Sequence, residues 1–89
     1  MDDTTWADWL RHALSTRGWS ARDLAARAGV SPSTVGSHLD GGMPSAPTVA
    51  QMLDGLAASP AERGAAWAAF HRAINARVAA LAALARRQP

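Results

Sequence analysis

The chain has 89 residues, 48% of them hydrophobic, with no cysteine and a formal net charge of +2. This length allows a single domain, at residues 1–89, with a modest core. The lack of cysteine excludes a disulfide framework, a thiolate metal site and a cysteine nucleophile. No run approaches the ~18 apolar residues of a membrane span, and Asp2 and Asp3 are the opposite of a signal peptide, so we expect a cytoplasmic protein.

Helical periodicity runs along the chain, and no stretch shows the alternation of polar and apolar residues that is typical of a strand. The first helix is predicted to begin after Thr5, which has capping-box spacing to Asp8, and to end at Gly18. Its apolar face is predicted to hold Trp6, Trp9, Leu10, Ala13 and Leu14.

Two short helices follow. Ser20 is predicted to cap the second helix, with Asp23 three residues later, and Gly29 is predicted to end it. Ser31 is predicted to cap the third helix, with Pro32 at the first helical position, where a missing N–H costs nothing. Val35 and Leu39 are then expected to face inward, with Gly41 and Gly42 stopping the helix.

A connector from Met43 to Pro47 leads to the fourth helix, for which Ser45 is the candidate cap. This helix is predicted to end near Ala57 or Ala58. Its core face is expected to consist of Val49, Met52, Leu53 and Leu56.

The fifth helix is predicted at residues 59–87, where Ser59, Pro60 and Glu62 give a capping box. Such a helix is about 40 Å long, which exceeds the expected diameter of the domain. Its second half must therefore protrude, fray or pack on another surface. Apolar residues recur at helical spacing along its whole length, at Trp67, Phe70, Ile74, Val78, Leu81 and Leu84.

The stretch at residues 20–41 has the arrangement of a helix-turn-helix, in which two short helices are joined by a turn centred on Gly29. Gly29 is expected to take a positive φ to reverse the chain. In such motifs the second helix enters the major groove of DNA with its N-terminal part nearest the bases. The outward face of that helix is predicted to hold Pro32, Ser33, Thr34, Gly36, Ser37 and His38.

The residues from Ala28 to Gly41 (A-G-V-S-P-S-T-V-G-S-H-L-D-G), with Pro44 and Ser45 downstream, resemble the Cro/C1-type (XRE family) helix-turn-helix proteins, in particular actinobacterial and phage versions. The resemblance covers roughly residues 6–73. A shorter core of the motif is shared with LacI-type headpieces, but these lack the long first helix that is predicted here.

The resemblance implies an all-α, five-helix, lambda-repressor-like domain that binds double-stranded DNA, with a core at residues 6–58. The bases would be contacted by Ser33, Thr34, Ser37 and His38. For His38, simple exposure to solvent without a DNA contact is an equal alternative. The DNA backbone would be contacted by Ser20, Arg22, Ser31, Pro32, Gly42 and Ser45.

Several features make the predicted readout face weak. It has no Arg, Gln or Asn, the residues best suited to bidentate base contacts, and Gly36 weakens the helix by roughly 1 kcal/mol relative to Ala. Clustered arginines are compatible with phosphate contacts and equally with a solvated face, and of Arg22 and Arg27 we favour Arg22 as the phosphate contact. Because a weak readout face implies low affinity for a single copy, two half-sites would be needed for specific binding. We therefore expect a transcriptional regulator that acts as a homodimer and as a repressor.

Dimerisation is assigned to the stripe Val78, Leu81 and Leu84, and the alternative is a frayed tail. A second functional hypothesis is a protein-binding helical module, such as an antitoxin or adaptor partner, which the weak readout face and the low net charge favour. We expect no enzymatic activity, cofactor or metal, because the chain has no Gly-rich phosphate loop, no paired acids and only scattered histidines. The tryptophans are expected in the core or in staples beside it.

Overall fold

The computed structural model describes residues 4–42 and 44–87, so Asp2, Asp3 and Met43 lie outside the described residues. Within them the chain forms five helices and no strand, which confirms the all-α fold. In chain order these helices are α1 (Trp6–Arg17), α2 (Ala21–Ala28), α3 (Pro32–Leu39), α4 (Ala46–Gly55) and α5 (Pro60–Arg86).

Local side-chain chemistry sets most of the helix starts. Capping boxes begin α1 at Thr5, α2 at Ser20 and α5 at Ser59, each closed by an acidic residue three positions later. Ser31 caps α3 by accepting a hydrogen bond from the backbone N–H of Thr34. Each box satisfies backbone donors that a helix start leaves without a partner, so these predicted boundaries are confirmed.

The end of α4 differs from the prediction. The helix stops at Gly55, with Leu56 as its cap, two to three residues before the expected end. Ala57 has a φ of 52°, and the N–H of Ala58 donates to the carbonyl of Leu53 at 3.1 Å. Ala57 thus adopts the left-handed conformation that glycine usually adopts at the end of a helix. No residue pattern at this position predicts that conformation.

The core lies between α1, α2, α3, α4 and the first half of α5. Trp6 is 1% exposed, and Trp9 stacks on it with ring centroids 5.6 Å apart. Trp9, Trp19 and Trp67 are half-buried and pack against this core, as expected for the tryptophans. The largest fully buried side chains are Trp6, Leu10, Leu24, Met52, Leu53, Leu56, Val35 and Val49.

The helices α2 and α4 approach each other closely at Gly55. A Cβ added at Gly55 would lie 2.9 Å from the backbone N and Cα of Ala28. Only glycine leaves room for the two backbones at this crossing. The sequence analysis did not identify Gly55 as a position that requires glycine.

The fifth helix has two different environments. Its first half packs on α1, where the Arg17 guanidinium donates to both carboxylate oxygens of Glu62 at 3.0 and 3.2 Å. From Asn75 to Arg87 every residue is exposed. The protruding half accounts for the elongated shape, 48 Å along the longest axis against 20 Å along the shortest. No described helix is long and apolar enough to cross a membrane.

Candidate nucleic-acid interface

The turn between α2 and α3 has the conformation expected from its glycine. Gly29 has a φ of 71°, and the N–H of Val30 donates to the carbonyl of Ala25 at 3.1 Å. Val30 packs against the core, and Ser31 begins the next helix at once. The turn therefore holds α2 and α3 as one unit, with Val35 fully buried between α3 and the rest of the protein.

The outer surface of α3 consists of small residues. Ser31, Pro32, Ser33 and Ser37 are exposed, while Thr34 is half-buried. The Thr34 hydroxyl lies 2.8 Å from the Ser31 hydroxyl, within the cap of the helix itself. Of the four residues predicted to contact bases, Ser33 and Ser37 are thus the two that α3 presents openly.

His38 does not lie on this outer surface, and the expectation that places it on the outward face is wrong. Its side chain is 6% exposed, and its Nδ1 accepts a hydrogen bond from the indole Nε1–H of Trp6 at 2.8 Å. His38 follows Val35 by three residues, so both side chains lie on the inner side of α3. Burial lowers the pKa of the His38 imidazole from its ordinary value of 6.5, which favours the neutral ring.

Gly36 lies on α3 between the inner and outer faces. A Cβ at this position would meet nothing within 4 Å, so no contact with the described residues requires glycine here.

The start of α2 forms one edge of the surface around α3. Ser20 and Arg22 are both exposed, and Arg22 makes no ion pair with the described residues. The Ser20 hydroxyl accepts a hydrogen bond from the N–H of Asp23, and the Ser20 N–H donates to the Asp23 carboxylate at 2.9 Å. That backbone hydrogen bond lowers the pKa of Asp23, so a negative charge is fixed at this helix start.

The segment after α3 forms the opposite edge. Gly41 has a φ of 85°, and the Gly42 N–H donates to the carbonyl of Ser37 at 2.9 Å. A Cβ at Gly42 would lie 2.7 Å from the Ser37 hydroxyl oxygen, so this position must stay without a side chain to keep the segment against α3.

Ser45 is exposed and stands at the start of α4, as predicted, but its side chain makes no hydrogen bond to the helix backbone. Its hydroxyl donates to the Thr48 hydroxyl at 2.8 Å instead.

A groove of about 430 Å³ lies beside this second edge, and the sequence analysis did not predict it. It runs between Trp6 at the start of α1, Pro44 before α4, and the protruding half of α5. Leu81 forms part of its wall and belongs to the stripe assigned to dimerisation. The members of that stripe, Val78, Leu81 and Leu84, are 57%, 59% and 57% exposed.

The histidines and acids do not form a metal site among the described residues, since no group of three or more is close enough to hold an ion.

A family model described as a helix-turn-helix domain matches residues 7–66, from the first turn of α1 into the first half of α5. No curated protein and no solved structure matches the chain. The matched range contains α2, α3 and both flanking edges described above.

Proposed function

This chain belongs to the helix-turn-helix domain family, and we propose that it is a transcriptional regulator of the Cro/C1 type (XRE family) that binds double-stranded DNA in a sequence-specific manner. The observation that carries the proposal is the surface of α3. Its N-terminal half presents Ser31, Pro32 and Ser33 openly, while Val35 on the inner side anchors the helix to the core. The resemblance to actinobacterial and phage versions favours such an origin and a cytoplasmic location.

In the proposed complex, α3 enters the major groove with its first turns nearest the base edges. Ser33 and Ser37 are four residues apart and share a helix face, so their hydroxyls can donate to or accept from the bases together. The backbone of the DNA would be contacted on one side by Ser20 and Arg22, and around α3 by the remaining assigned residues, Ser31, Pro32, Gly42 and Ser45. Backbone N–H groups at the starts of helices suit phosphate oxygens.

We further propose that the protein acts as a homodimeric repressor, with residues 6–58 as the DNA-binding core and residues 59–87 as the dimerisation helix. Serine hydroxyls discriminate weakly between bases, so one copy would have low affinity and two half-sites would be needed. The stripe of Val78, Leu81 and Leu84 supplies exposed apolar side chains that a symmetry-related copy can cover. Such a dimer would place its two α3 helices about 34 Å apart, one turn of DNA.

The test is the substitution Ser33→Glu, with DNA affinity measured over a range of salt concentrations. A carboxylate at the second helical position suits the helix dipole, so the variant should stay folded. Against base edges and phosphates it should lower affinity by at least ~100-fold, because like charges opposed at an interface cost several kcal/mol. Ser37→Glu should act in the same direction.

Ala61→Glu is the matched control, because it adds the same charge at an exposed position in the first turn of α5. Its DNA affinity should stay within about twofold of the unsubstituted protein, and all variants are checked for helix content. Unchanged binding by Ser33→Glu would refute the placement of α3. DNA affinity that rests on about four to eight phosphate contacts should also fall steeply as the salt concentration rises. A protein-binding module would show no such salt-dependent DNA affinity.

A further inference from the structure

The contact between Trp6 and His38 joins α1 directly to α3. Both side chains are buried, at 1% and 6% exposure, and the indole Nε1–H of Trp6 donates to the imidazole Nδ1 of His38 at 2.8 Å. The two rings also meet edge to face, with centroids 6.2 Å apart. Beside this contact the Arg11 side chain donates to the carbonyl of Leu39, so the end of α3 is attached to α1 at two places.

The geometry of this hydrogen bond requires a neutral imidazole. Because Nδ1 accepts, the ring proton of neutral His38 is on Nε2. A proton added at Nδ1 would place two N–H donors 2.8 Å apart, where neither has an acceptor. The rings must then separate, and they lie between α1 and the helix that presents Ser33 and Ser37.

We propose that His38 is a positioning residue, whose neutral ring fixes α3 on α1 for DNA binding and whose protonation releases α3 and lowers DNA affinity. This inference rests on the proposed function of α3 in DNA binding. His38 acts through Trp6 and through the placement of α3, without touching DNA itself.

On α1, the charged groups near this contact are Arg11 and Asp8, which form an ion pair at 3.2 Å. On α3, Asp40 is exposed beyond the end of the helix. Across the groove, Arg77 of α5 lines the same space as Trp6. None of these groups makes a hydrogen bond or ion pair with His38.

On α2, which also packs on α3, the charges point to other partners. Asp23 bonds to Ser20, and the Arg27 guanidinium lies over the Trp19 ring at 4.1 Å. Arg22 is exposed. The protonation of His38 is therefore governed by its burial and by the Trp6 donor, since none of the described charges pairs with it.

The direction of the pH effect follows from burial, which lowers the pKa of His38 below 6.5 in the folded protein. The stability that the neutral ring contributes to the folded protein is complete above pH 6.5 and is lost as the pH falls through the lower pKa of the folded state. DNA affinity should fall in the same direction.

The experiment measures DNA affinity at constant salt between about pH 7.5 and about pH 5, a range that extends to both sides of the ordinary histidine pKa. The unsubstituted protein should lose about tenfold in affinity while it remains folded, which corresponds to one buried hydrogen bond. His38→Asn places an amide oxygen near the position of Nδ1 and does not titrate, so it should lose less than about twofold. The matched control is His12→Asn at an exposed position of α1, which should follow the unsubstituted protein.

A second variant covers the case in which His38→Asn does not fold. Trp6→Phe removes the donor and keeps the histidine, so it should bind DNA less tightly at pH 7.5 and change less on acidification, by about twofold. The proposal is overturned if the affinity of the unsubstituted protein stays constant or rises on acidification. It is equally overturned if folded His38→Asn or folded Trp6→Phe loses affinity in parallel with the unsubstituted protein.

An NMR titration of the free protein separates this inference from the proposed function. The indole N–H resonance of Trp6 and the backbone amides of Ser33 and Ser37 should shift together with the His38 ring in the unsubstituted protein, and not in His38→Asn. Resonances of α3 that do not follow His38 would overturn the positioning role even in a protein that binds DNA. If they do follow His38 but no DNA is bound at any pH, the proposed function fails and the coupling of His38 to α3 stands.

Discussion

The two halves of α5 share the same helical spacing of apolar residues but have opposite surroundings. In the first half Ala66 and Ala69 are fully buried, whereas in the second half Val78, Leu81 and Leu84 are each more than half exposed. Apolar periodicity thus predicted the helix and its apolar face along the whole length. Burial needs a covering element, and no described part of the chain covers residues 75–87, which are all exposed.

Polar contacts mark where the packed half ends. The pair of Arg17 and Glu62 joins the end of α1 to the first turn of α5, and the Arg72 guanidinium donates to the carbonyl of Thr4 at 2.7 Å near the start of α1. Beyond Ile74 every described residue of the helix is exposed. Three substitutions, each with a control, and one truncation test this contrast between packed and exposed positions.

Leu53→Ala should have the largest effect, because Leu53 is fully buried on α4. We expect the free energy of unfolding to fall by about 2–5 kcal/mol, the usual cost of a buried leucine truncated to alanine. Leu81→Ala removes the same atoms from the exposed half of α5 and should change the free energy of unfolding of the monomer by less than ~0.5 kcal/mol. Urea denaturation followed by tryptophan fluorescence measures both free energies, and equal losses would mean that Leu81 is packed as tightly as a core leucine.

Gly55→Ala should lower the free energy of unfolding by about 1–3 kcal/mol, because its Cβ would lie 2.9 Å from the backbone of Ala28 and force α2 and α4 apart. The control is Gly64→Ala in the first half of α5, where a Cβ meets nothing within 4 Å. This variant should gain up to ~1 kcal/mol from helix propensity. A stabilised Gly55→Ala variant would show that the crossing of α2 and α4 is looser than described.

Glu62→Gln should lower the free energy of unfolding by about 0.5–1 kcal/mol at neutral pH, through loss of the ion pair with Arg17. The effect is small because the Glu62 side chain is 37% exposed. The control is Asp54→Asn, whose partner is Arg63 and whose side chain is 75% exposed, and it should cost less than ~0.3 kcal/mol.

The backbone hydrogen bond from Ser59 and the contact with Arg17 lower the pKa of Glu62 below its ordinary value of 4.5. The stability that this carboxylate contributes is therefore complete above pH 4.5 and is lost as the pH falls through the lower pKa of the folded state. Urea denaturation at several pH values should show the difference between the unsubstituted protein and Glu62→Gln shrinking on acidification. A difference that stays constant to low pH would contradict this role.

Truncation after Ile74 should have the smallest effect on the stability of the monomer, less than ~0.5 kcal/mol, because all the described residues that it removes, 75–87, are exposed. The proposed dimer, however, should be lost with Val78, Leu81 and Leu84. Analytical ultracentrifugation of both forms at the same concentration measures the change. A truncated protein that still dimerises would remove these residues from the interface.

Much of the fold follows from short-range signals. Ser20 with Asp23 and Ser59 with Glu62 begin their helices as predicted, and Gly18 and Gly29 end theirs, because each of these contacts lies within one or two helical turns. The left-handed Ala57 has no such signal, since alanine favours continuation of the helix. The end of α4 could therefore not be predicted.

The errors at the candidate site come from contacts between distant residues. His38 shares a helix face with Val35, which indicates an inward ring, but its polar side chain suggested the surface, and its partner Trp6 is 32 positions away in the chain. The crossing of Gly55 with Ala28 and the groove beside Trp6 also depend on tertiary packing. Ser33 and Ser37, whose exposure follows from the pitch of α3 alone, lie on its outer face as expected.

The most direct test of the central claim is a selection of DNA fragments bound by the full chain from a genomic library at physiological salt, followed by sequencing. A dimeric regulator that inserts α3 into the major groove should enrich an inverted repeat whose half-sites are centred about one turn of DNA apart, and Ser33→Glu should abolish that enrichment. Recovery of bulk DNA without any enriched sequence would contradict the claim and favour the protein-binding alternative.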